Sequence, residues 1–249
     1  MKKQKDEPIV AVKDLHKSFG DHTVLDGIDL NVARGETVAL LGRSGTGKSV
    51  FLKLIIGLEQ SDSGSICVHG QEMKDLAPDQ LNEVRKKMGF LFQKAALYDS
   101  LTVEENVEFP LDRHTKMSEE ERKAKVRELL TSVGMDKDVE KLPSEISGGM
   151  QKRVGLARAL ALDPDILLFD EPTAGLDPIT SDEIAKLILK LQKERNVTSI
   201  VVTHDIHCAK EFSDRLVIMN EGKVLVEGTF ADLKKSRNPF VVHFLNGSS

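Results

Sequence analysis

The sequence has no tryptophan, one tyrosine and only two cysteines among its 249 residues. Cys67 and Cys208 are far apart and do not have the spacing of a metal site, so cysteine-based metal binding is not expected. The favoured interpretation is two reduced thiols in a cytosolic protein.

Long apolar segments are also missing. No apolar run approaches the roughly 20 residues that span a bilayer. Residues 1–8 are polar and lack the apolar core of a signal peptide. We therefore expect a cytosolic chain, for which any role at a membrane requires a partner that spans it.

An excess of basic charge is absent as well, since the formal net charge is -5. This argues against a protein that binds nucleic acid through a broad basic face, although a local basic patch stays open. The length, with 40% hydrophobic and 30% charged residues, suits one large domain, or a core with a subdomain, around a sizeable buried core.

Short apolar runs and capped helical segments alternate along the chain. Strands are predicted at residues 9–12, 27–32, 37–41, 65–68, 87–92, 166–169 and 198–202, and in a hairpin of 215–219 with 223–227. Helices are predicted at residues 50–56, from 102 to near Pro110, 118–134, 147–162 and 177–194. Residues 94–162 are thus a predicted helical insertion between strands.

A glycine-rich loop between a buried strand and a helix carries the strongest chemical signal. It fits G-x-x-x-x-G-K-[ST], whose backbone N–H groups and following helix N-terminus bind phosphate. Lys48 is expected to reach the outer phosphates of ATP, and the Ser49 hydroxyl to ligate Mg²⁺. The predicted nucleotide-binding residues of this segment are Gly42, Arg43, Ser44, Gly45, Thr46, Gly47, Lys48, Ser49 and Val50.

Acidic residues close another apolar strand. Asp170 suits a Walker-B carboxylate that holds Mg²⁺, directly or through water, and Glu171 follows where it could polarise the attacking water as a general base. His204 ends a further buried strand, which we expect to neighbour that of Asp170. A lone histidine is usually structural, so its role stays open from local sequence.

Two other segments are ambiguous from local sequence. Ser147, Gly148 and Gly149 open a helix and could meet phosphate, but a small-residue N-cap explains them better. Gln93 ends a strand, where it could contact Mg²⁺ or water or could be a solvated strand end.

Taken together, these motifs resemble an ABC-transporter ATPase subunit over about residues 9–228. They occur in the family's order: the phosphate loop, Gln93 as the Q-loop, residues 146–150 as the signature, Asp170 with Glu171, and His204. The signature begins with Ile and ends with Met where Leu and Gln are usual. The resemblance reverses the local interpretation of Ser147–Gly149, places Asp177 in the D-loop and places Phe19 where an aromatic ring stacks on adenine.

The resemblance implies a fold and an assembly. The fold is α/β: a P-loop NTPase core of mixed sheet and flanking helices, an antiparallel β subdomain and an inserted helical subdomain. The corresponding boundaries are 8–93 with 163–230 for the core and its β subdomain, 94–162 for the helical signature subdomain and 231–249 for a C-terminal tail. Two subunits would form a head-to-tail homodimer, with the signature of one contacting ATP bound to the other.

The resemblance also implies integral-membrane permease partners, a peripheral position on the cytoplasmic face of the inner membrane, and no nucleic-acid partner. Residues 92–115, together with 142–145 and 174–179, look like the Mla subfamily, which moves phospholipids between the membranes of double-membraned bacteria. That likeness favours phospholipid as cargo and an Mce-domain lipid-binding partner. The alternative is an importer or exporter of another substrate class.

A third hypothesis is a non-transport ABC ATPase. The chain has neither the coiled-coil insertion of repair ATPases nor a second cassette. The apolar cluster at residues 240–245 is expected to pack on its own subunit or on a neighbouring one.

Overall fold

The computed structural model describes residues 7–245. Residues 1–6, in the polar N-terminal segment, and 246–249, at the end of the predicted tail, lie outside it. The ten strands of the described part are β1 (Val10–Phe19), β2 (His22–Val32), β3 (Thr37–Leu41), β4 (Ser63–Val68), β5 (Gln71–Glu72), β6 (Met88–Leu91), β7 (Ile166–Asp170), β8 (Thr198–Thr203), β9 (Arg215–Asn220) and β10 (Lys223–Gly228).

Besides two short 3₁₀ helices, Met73–Asp75 and Pro143–Glu145, the described part has nine α-helices. They are α1 (Lys48–Ile55), α2 (Pro78–Lys86), α3 (Val103–His114), α4 (Glu119–Ser132), α5 (Gly148–Ala159), α6 (Pro178–Arg195), α7 (Ile206–Phe212), α8 (Phe230–Leu233) and α9 (Pro239–Leu245). Helices α3, α4 and α5 lie between β6 and β7 in the chain, in the segment for which a helical subdomain is predicted.

Two sheets organise the molecule. The larger has the strand order β10-β9-β3-β8-β7-β6 and is parallel except for β10, which pairs antiparallel with β9. The smaller is antiparallel, in the order β2-β1-β4-β5. This mixed sheet, antiparallel sheet and helical part confirm the predicted α/β fold class.

The central strands are buried on both faces, as their continuous apolar sequences predict. Along β3, Val38 and Leu40 belong to the hydrophobic cluster that contains α1 and the antiparallel sheet. Ala39 and Leu41 belong to the other cluster, which contains the helices of the insertion. Since successive side chains of a strand point to opposite faces, the large sheet is the middle layer of three.

Helix α3 corrects one predicted boundary. It was expected to end near Pro110, but it continues to His114 with this proline inside it. Proline removes one helical hydrogen bond, which usually breaks a helix. Here Val107 and Leu111, on either side of the proline, are fully buried in the core, and this packing holds the helix together.

Other elements went unpredicted. Helix α2 begins after Ala77, which is not a usual N-cap residue, and the Gln80 side chain accepts from the Ala77 N–H instead. The short helices α7, α8 and α9 were also missed. Cys67 is half-buried, Cys208 is buried, and both are free thiols. No helix within residues 7–245 combines the length and apolarity needed to cross a membrane.

Candidate functional site

The topology brings the predicted catalytic segments to one edge of the large sheet. Strand β8 lies between β3 and β7, and all three run parallel, so their carboxyl ends share an edge. The phosphate loop follows β3, Asp170 ends β7, and His204 follows β8. The expected adjacency of the strands of His204 and Asp170 is confirmed.

At two positions of the phosphate loop, Gly42 and Gly47, there is no room for the Cβ of any other residue. A Cβ on Gly42 would lie 2.6 Å from the Met219 carbonyl oxygen. A Cβ on Gly47 would lie 2.7 Å from the Val24 carbonyl oxygen, and the φ of Gly47 is 90°. The loop is therefore seated directly against β2 and β9.

The outer part of the loop faces solvent. Arg43, Ser44 and Gly45 are exposed, whereas Thr46 is half-buried and its hydroxyl donates to the Arg43 carbonyl at 2.9 Å. Within the described chain, no side chain caps the first turn of α1 and that turn has no acidic residue. Its N–H groups are thus available to an anion. Val50, in the same turn, is half-buried.

Lys48 lies beneath the loop with 6% of its surface exposed. Its Nζ donates to the carbonyls of Gly42 at 2.8 Å and Arg43 at 3.0 Å and lies 4.0 Å from Glu171 Oε1. Burial lowers the pKa of Lys48, and Glu171 and then Asp170 oppose that shift. The ammonium is held at the base of the loop, where an anionic phosphate would stabilise its charge.

Ser49 and Asp170 form the second contact of the site. The Ser49 hydroxyl donates to Asp170 Oδ1 at 2.7 Å, across 121 residues of sequence. Asp170 is 7% exposed. A hydroxyl and a carboxylate oxygen at this separation are hard oxygen donors of the kind that Mg²⁺ prefers, so these two residues fit the predicted metal.

Glu171 has an unusual backbone conformation. Its φ is 48°, in the left-handed region that a non-glycine residue adopts at a cost. Its N–H donates to the Val202 carbonyl at 2.8 Å. Its carboxylate contacts His204, with 2.9 Å between Oε2 and Nδ1. The structure thus brings Lys48, Glu171 and His204 together, as their predicted roles require.

The signature segment lies at the start of α5. Ser147 caps the helix by accepting from the Met150 N–H at 3.3 Å, and Gly148 and Gly149 form its first turn. A Cβ on Gly149 would lie 2.6 Å from Thr180 Cγ2 of α6. No hydrogen bond within residues 7–245 joins this segment to the phosphate loop.

Asp177 caps α6, as its sequence context predicts. Its carboxylate accepts from the N–H groups of Ile179 and Thr180 and from the Thr180 hydroxyl at 2.5 Å. The Thr180 side-chain and backbone hydrogen bonds lower the pKa of Asp177. Asp177 and Thr180 thus fix the start of α6 against the signature helix.

Comparisons with known proteins decide the family. A family model described as ABC transporter matches residues 25–174. The chain belongs to the ABC transporter family. It is an ATP-binding subunit of that family and an ABC-type ATPase.

Similar proteins carry different names. Probable ribonucleotide transport ATP-binding protein mkl of Mycobacterium leprae is 42% identical over 238 residues, covering 96% of this chain and 69% of that protein. The intermembrane phospholipid transport system ATP-binding protein MlaF of Haemophilus influenzae is 42% identical over 241 residues, covering 97% and 91%. The MlaF match confirms the resemblance to Mla ATPases.

A solved structure agrees with the fold. An ATP-binding cassette captured as a dimer in a post-hydrolysis state with ADP and Pi has a TM-score of 0.81 and 37% identity, covering 88% of this chain and 98% of that one. At that identity the likeness extends beyond the fold to the type of ATPase.

For two predicted site residues of this ABC ATPase, Gln93 and Phe19, no side-chain hydrogen bond to Lys48, Glu171 or His204 is found within residues 7–245. The side chain of Gln93 is exposed, and its backbone carbonyl accepts from the Nζ of Lys152. Phe19 is 46% exposed at the end of β1, with the Nζ of Lys17 4.9 Å from its ring centroid. Both lie on the surface, where a ligand or partner can reach them.

Sequence reasoning missed Lys152. It is 4% exposed, and its Nζ also donates to the Glu171 carbonyl at 3.1 Å. Burial lowers its pKa to about 8, against the opposing effect of Asp170 and Glu171. A signal was available, because Gly149, Lys152 and Leu156 have helical spacing and form one buried stripe of α5.

Proposed function

We propose that this ABC ATPase hydrolyses ATP at the Lys48–Glu171–His204 cluster and that the hydrolysis powers transport of phospholipid through a membrane permease. The contact between Glu171 Oε2 and His204 Nδ1, at 2.9 Å, carries the catalytic part. The MlaF similarity over 97% of the chain supports the cargo.

The proposed binding mode follows from the loop. The N–H groups of the first turn of α1 and Lys48 bind the β- and γ-phosphates, and Phe19 stacks on adenine. Ser49 and Asp170 would hold Mg²⁺, and the Gln93 side chain would be a further ligand. When bound, this ion neutralises charge on the phosphate oxygens.

Glu171 acts on the attacking water. Its carboxylate accepts a proton while the water oxygen bonds to the γ-phosphorus and the bond to the ADP oxygen breaks. His204 holds Oε2 of Glu171, which leaves Oε1 directed toward Lys48 and the phosphates. The Glu171 carboxylate is therefore already oriented for proton transfer and does not have to change its side-chain conformation before each turnover.

A second subunit completes the site. Ser147 and Gly148 are exposed and Gly149 is buried, all at the start of α5, and the N–H groups there bind the γ-phosphate of the partner's ATP. The D-loop residue Asp177 accepts a hydrogen bond from the Thr180 hydroxyl, and the methyl group of Thr180 lies against Gly149. The working unit is thus a head-to-tail homodimer with two composite sites.

Permease docking is proposed at the surface that follows Gln93. Tyr98 is 46% exposed, packs against Phe109 with 4.7 Å between ring centroids and 46° between ring planes, and has the Arg158 guanidinium 5.9 Å from its ring. A rigid, exposed aromatic side chain is typical of an interface anchor. Docking there places the protein at the cytoplasmic face of the inner membrane, and an Mce-domain lipid-binding protein is the expected further partner.

A pull-down from gently solubilised membranes tests the function. The tagged protein should retain an integral-membrane permease and phospholipid, and phospholipid should stimulate ATP hydrolysis by the complex. A Tyr98→Ala variant should lose the permease and keep basal hydrolysis. Stimulation by ribonucleotides and not by phospholipid would favour the second candidate, the function in the name of the mycobacterial relative.

A further inference from the structure

Lys152 is a charged residue on a buried face. It lies in the second turn of α5, next to Gly149 and Leu156 on the stripe that packs into the protein, with 4% of its surface exposed. Burying an ammonium group is unfavourable unless it is hydrogen-bonded. A hydrophobic side chain would fill the same place without that cost, so the contacts of this lysine call for explanation.

Those contacts join three distant segments. The Nζ donates to the carbonyl of Gln93, 59 residues earlier, and to the carbonyl of Glu171, 19 residues later. Gln93 follows β6, where the helical insertion begins, and Glu171 follows β7, after the insertion has ended. One ammonium group on the signature helix therefore joins the segment after β6, where the insertion begins, to the residue that follows β7.

Lys152 binds the backbone of Glu171 at the residue whose backbone is strained. The φ of 48° persists only where neighbouring groups hold it. Its N–H is bound by the Val202 carbonyl and its carbonyl by Lys152. Fixing both polar groups of the residue fixes the direction of its side chain, which points to His204 Nδ1 at 2.9 Å and to Lys48 Nζ at 4.0 Å.

We propose that Lys152 is a positioning residue, which holds the Glu171 carboxylate in its reactive orientation by binding the carbonyls of Glu171 and Gln93. The inference rests on the proposed role of Glu171 in hydrolysis. Because the same ammonium also binds the Q-loop carbonyl, a shift of the signature helix moves Glu171 and Gln93 together.

The test compares Lys152→Met with wild type in ATP hydrolysis, ATP affinity and hydrogen exchange. Methionine has a similar length and no N–H donor. The expected result is a fall in kcat on the order of tenfold to a hundredfold, as for a small misplacement of a reacting group. ATP affinity should stay near that of wild type, and exchange should rise in residues 168–176.

Arg153→Met is the matched control on the same helix. Arg153 binds the Val133 carbonyl and Glu183, so it anchors α5 without contacting Gln93 or Glu171. This variant should keep kcat and exchange in residues 168–176. Lys152→Arg, which keeps cationic N–H donors, should retain more of kcat than Lys152→Met. Lys152→Leu, which also lacks a side-chain donor, replaces Lys152→Met if the latter does not fold.

Two results would overturn the inference: wild-type kcat with unchanged exchange in Lys152→Met, or equal losses of kcat in Lys152→Met and Arg153→Met. Neither resembles failure of the proposed function, which would appear as a wild-type chain that does not hydrolyse ATP at all.

Discussion

At the scale of single residues, the proposed chemistry depends most on Glu171. It combines a left-handed backbone, a hydrogen bond to His204 and a position 4.0 Å from Lys48. Strained residues of this kind persist where function requires their geometry. The pairing of Asp170 with Glu171 at a strand end could be predicted from the sequence, but the backbone conformation could not, because it depends on Val202 and Lys152.

Glu171→Gln should abolish most hydrolysis and spare ATP binding. An amide cannot accept the proton of the attacking water, and loss of a general base typically lowers kcat by about 10²–10⁴-fold. Phosphate release measures the rate. Glu194→Gln, on the exposed side of α6, is the matched control and should behave as wild type. Hydrolysis by Glu171→Gln at the wild-type rate would show that another group is the base.

For Gln93, the sequence predicted a functional residue but not the contact that the residue makes. Its position at a strand end and domain junction singled it out, and its side chain was expected to contact Mg²⁺ or water. The structure shows a contact through its carbonyl, with Lys152. Backbone contacts between residues far apart in sequence leave no trace in a local motif. The helical spacing of Lys152 with Gly149 and Leu156 could have indicated its burial, but not its contacts with the carbonyls of Gln93 and Glu171.

At the scale of elements, local signals predicted boundaries well where they were strong. Ser118 caps α4 with its hydroxyl, and Gly134, with a φ of 70°, follows the helix end. Such signals are short-range and therefore visible in the sequence. Helix α3 passes through Pro110 because tertiary packing outweighs the local signal. Helix α2 was missed because its N-cap residue is an alanine.

The contact of α5 with α6 predicts different effects for two adjacent glycines. A Cβ at Gly149 would meet Thr180 Cγ2 at 2.6 Å, and the hydrogen bond from Thr180 to Asp177 restrains that side chain. Gly149→Ala should therefore lower the free energy of unfolding by about 1–3 kcal/mol, as overpacking does. Urea denaturation measures this change.

Gly148→Ala is the control for that measurement. Its Cβ would lie 3.6 Å from Leu176 Cδ2, an ordinary contact, so stability should change little. Equal stability of the two variants would contradict the packing described for the signature and D-loop helices.

At the scale of the whole molecule, the C-terminal tail covers its own subunit. Val241 of α9 is fully buried, and Phe240, Phe244 and Leu245 pack against the core. The Arg43 guanidinium of the phosphate loop lies 5.5 Å from the Phe240 ring centroid. Of the two packing modes expected from the sequence, this is packing on the same subunit, over the part up to residue 245.

Two adjacent valines test the tail. Val241→Ala removes two buried methyl groups and should lower the free energy of unfolding by about 1–2 kcal/mol. Val242 is 42% exposed, so Val242→Ala should have little effect. Thermal unfolding of the two variants measures the difference, and equal Tm values would show that α9 does not stabilise the subunit.

Dimerisation connects all three scales, because in the proposed composite site the phosphate loop of one subunit needs the signature segment of another. Sedimentation of Glu171→Gln with and without ATP and Mg²⁺ tests this most directly, with Lys48→Ala, which should not retain ATP, as the control. Glu171→Gln is expected to become a dimer when ATP is added, and Lys48→Ala is expected to stay a monomer. A Glu171→Gln protein that binds ATP and remains a monomer would contradict it.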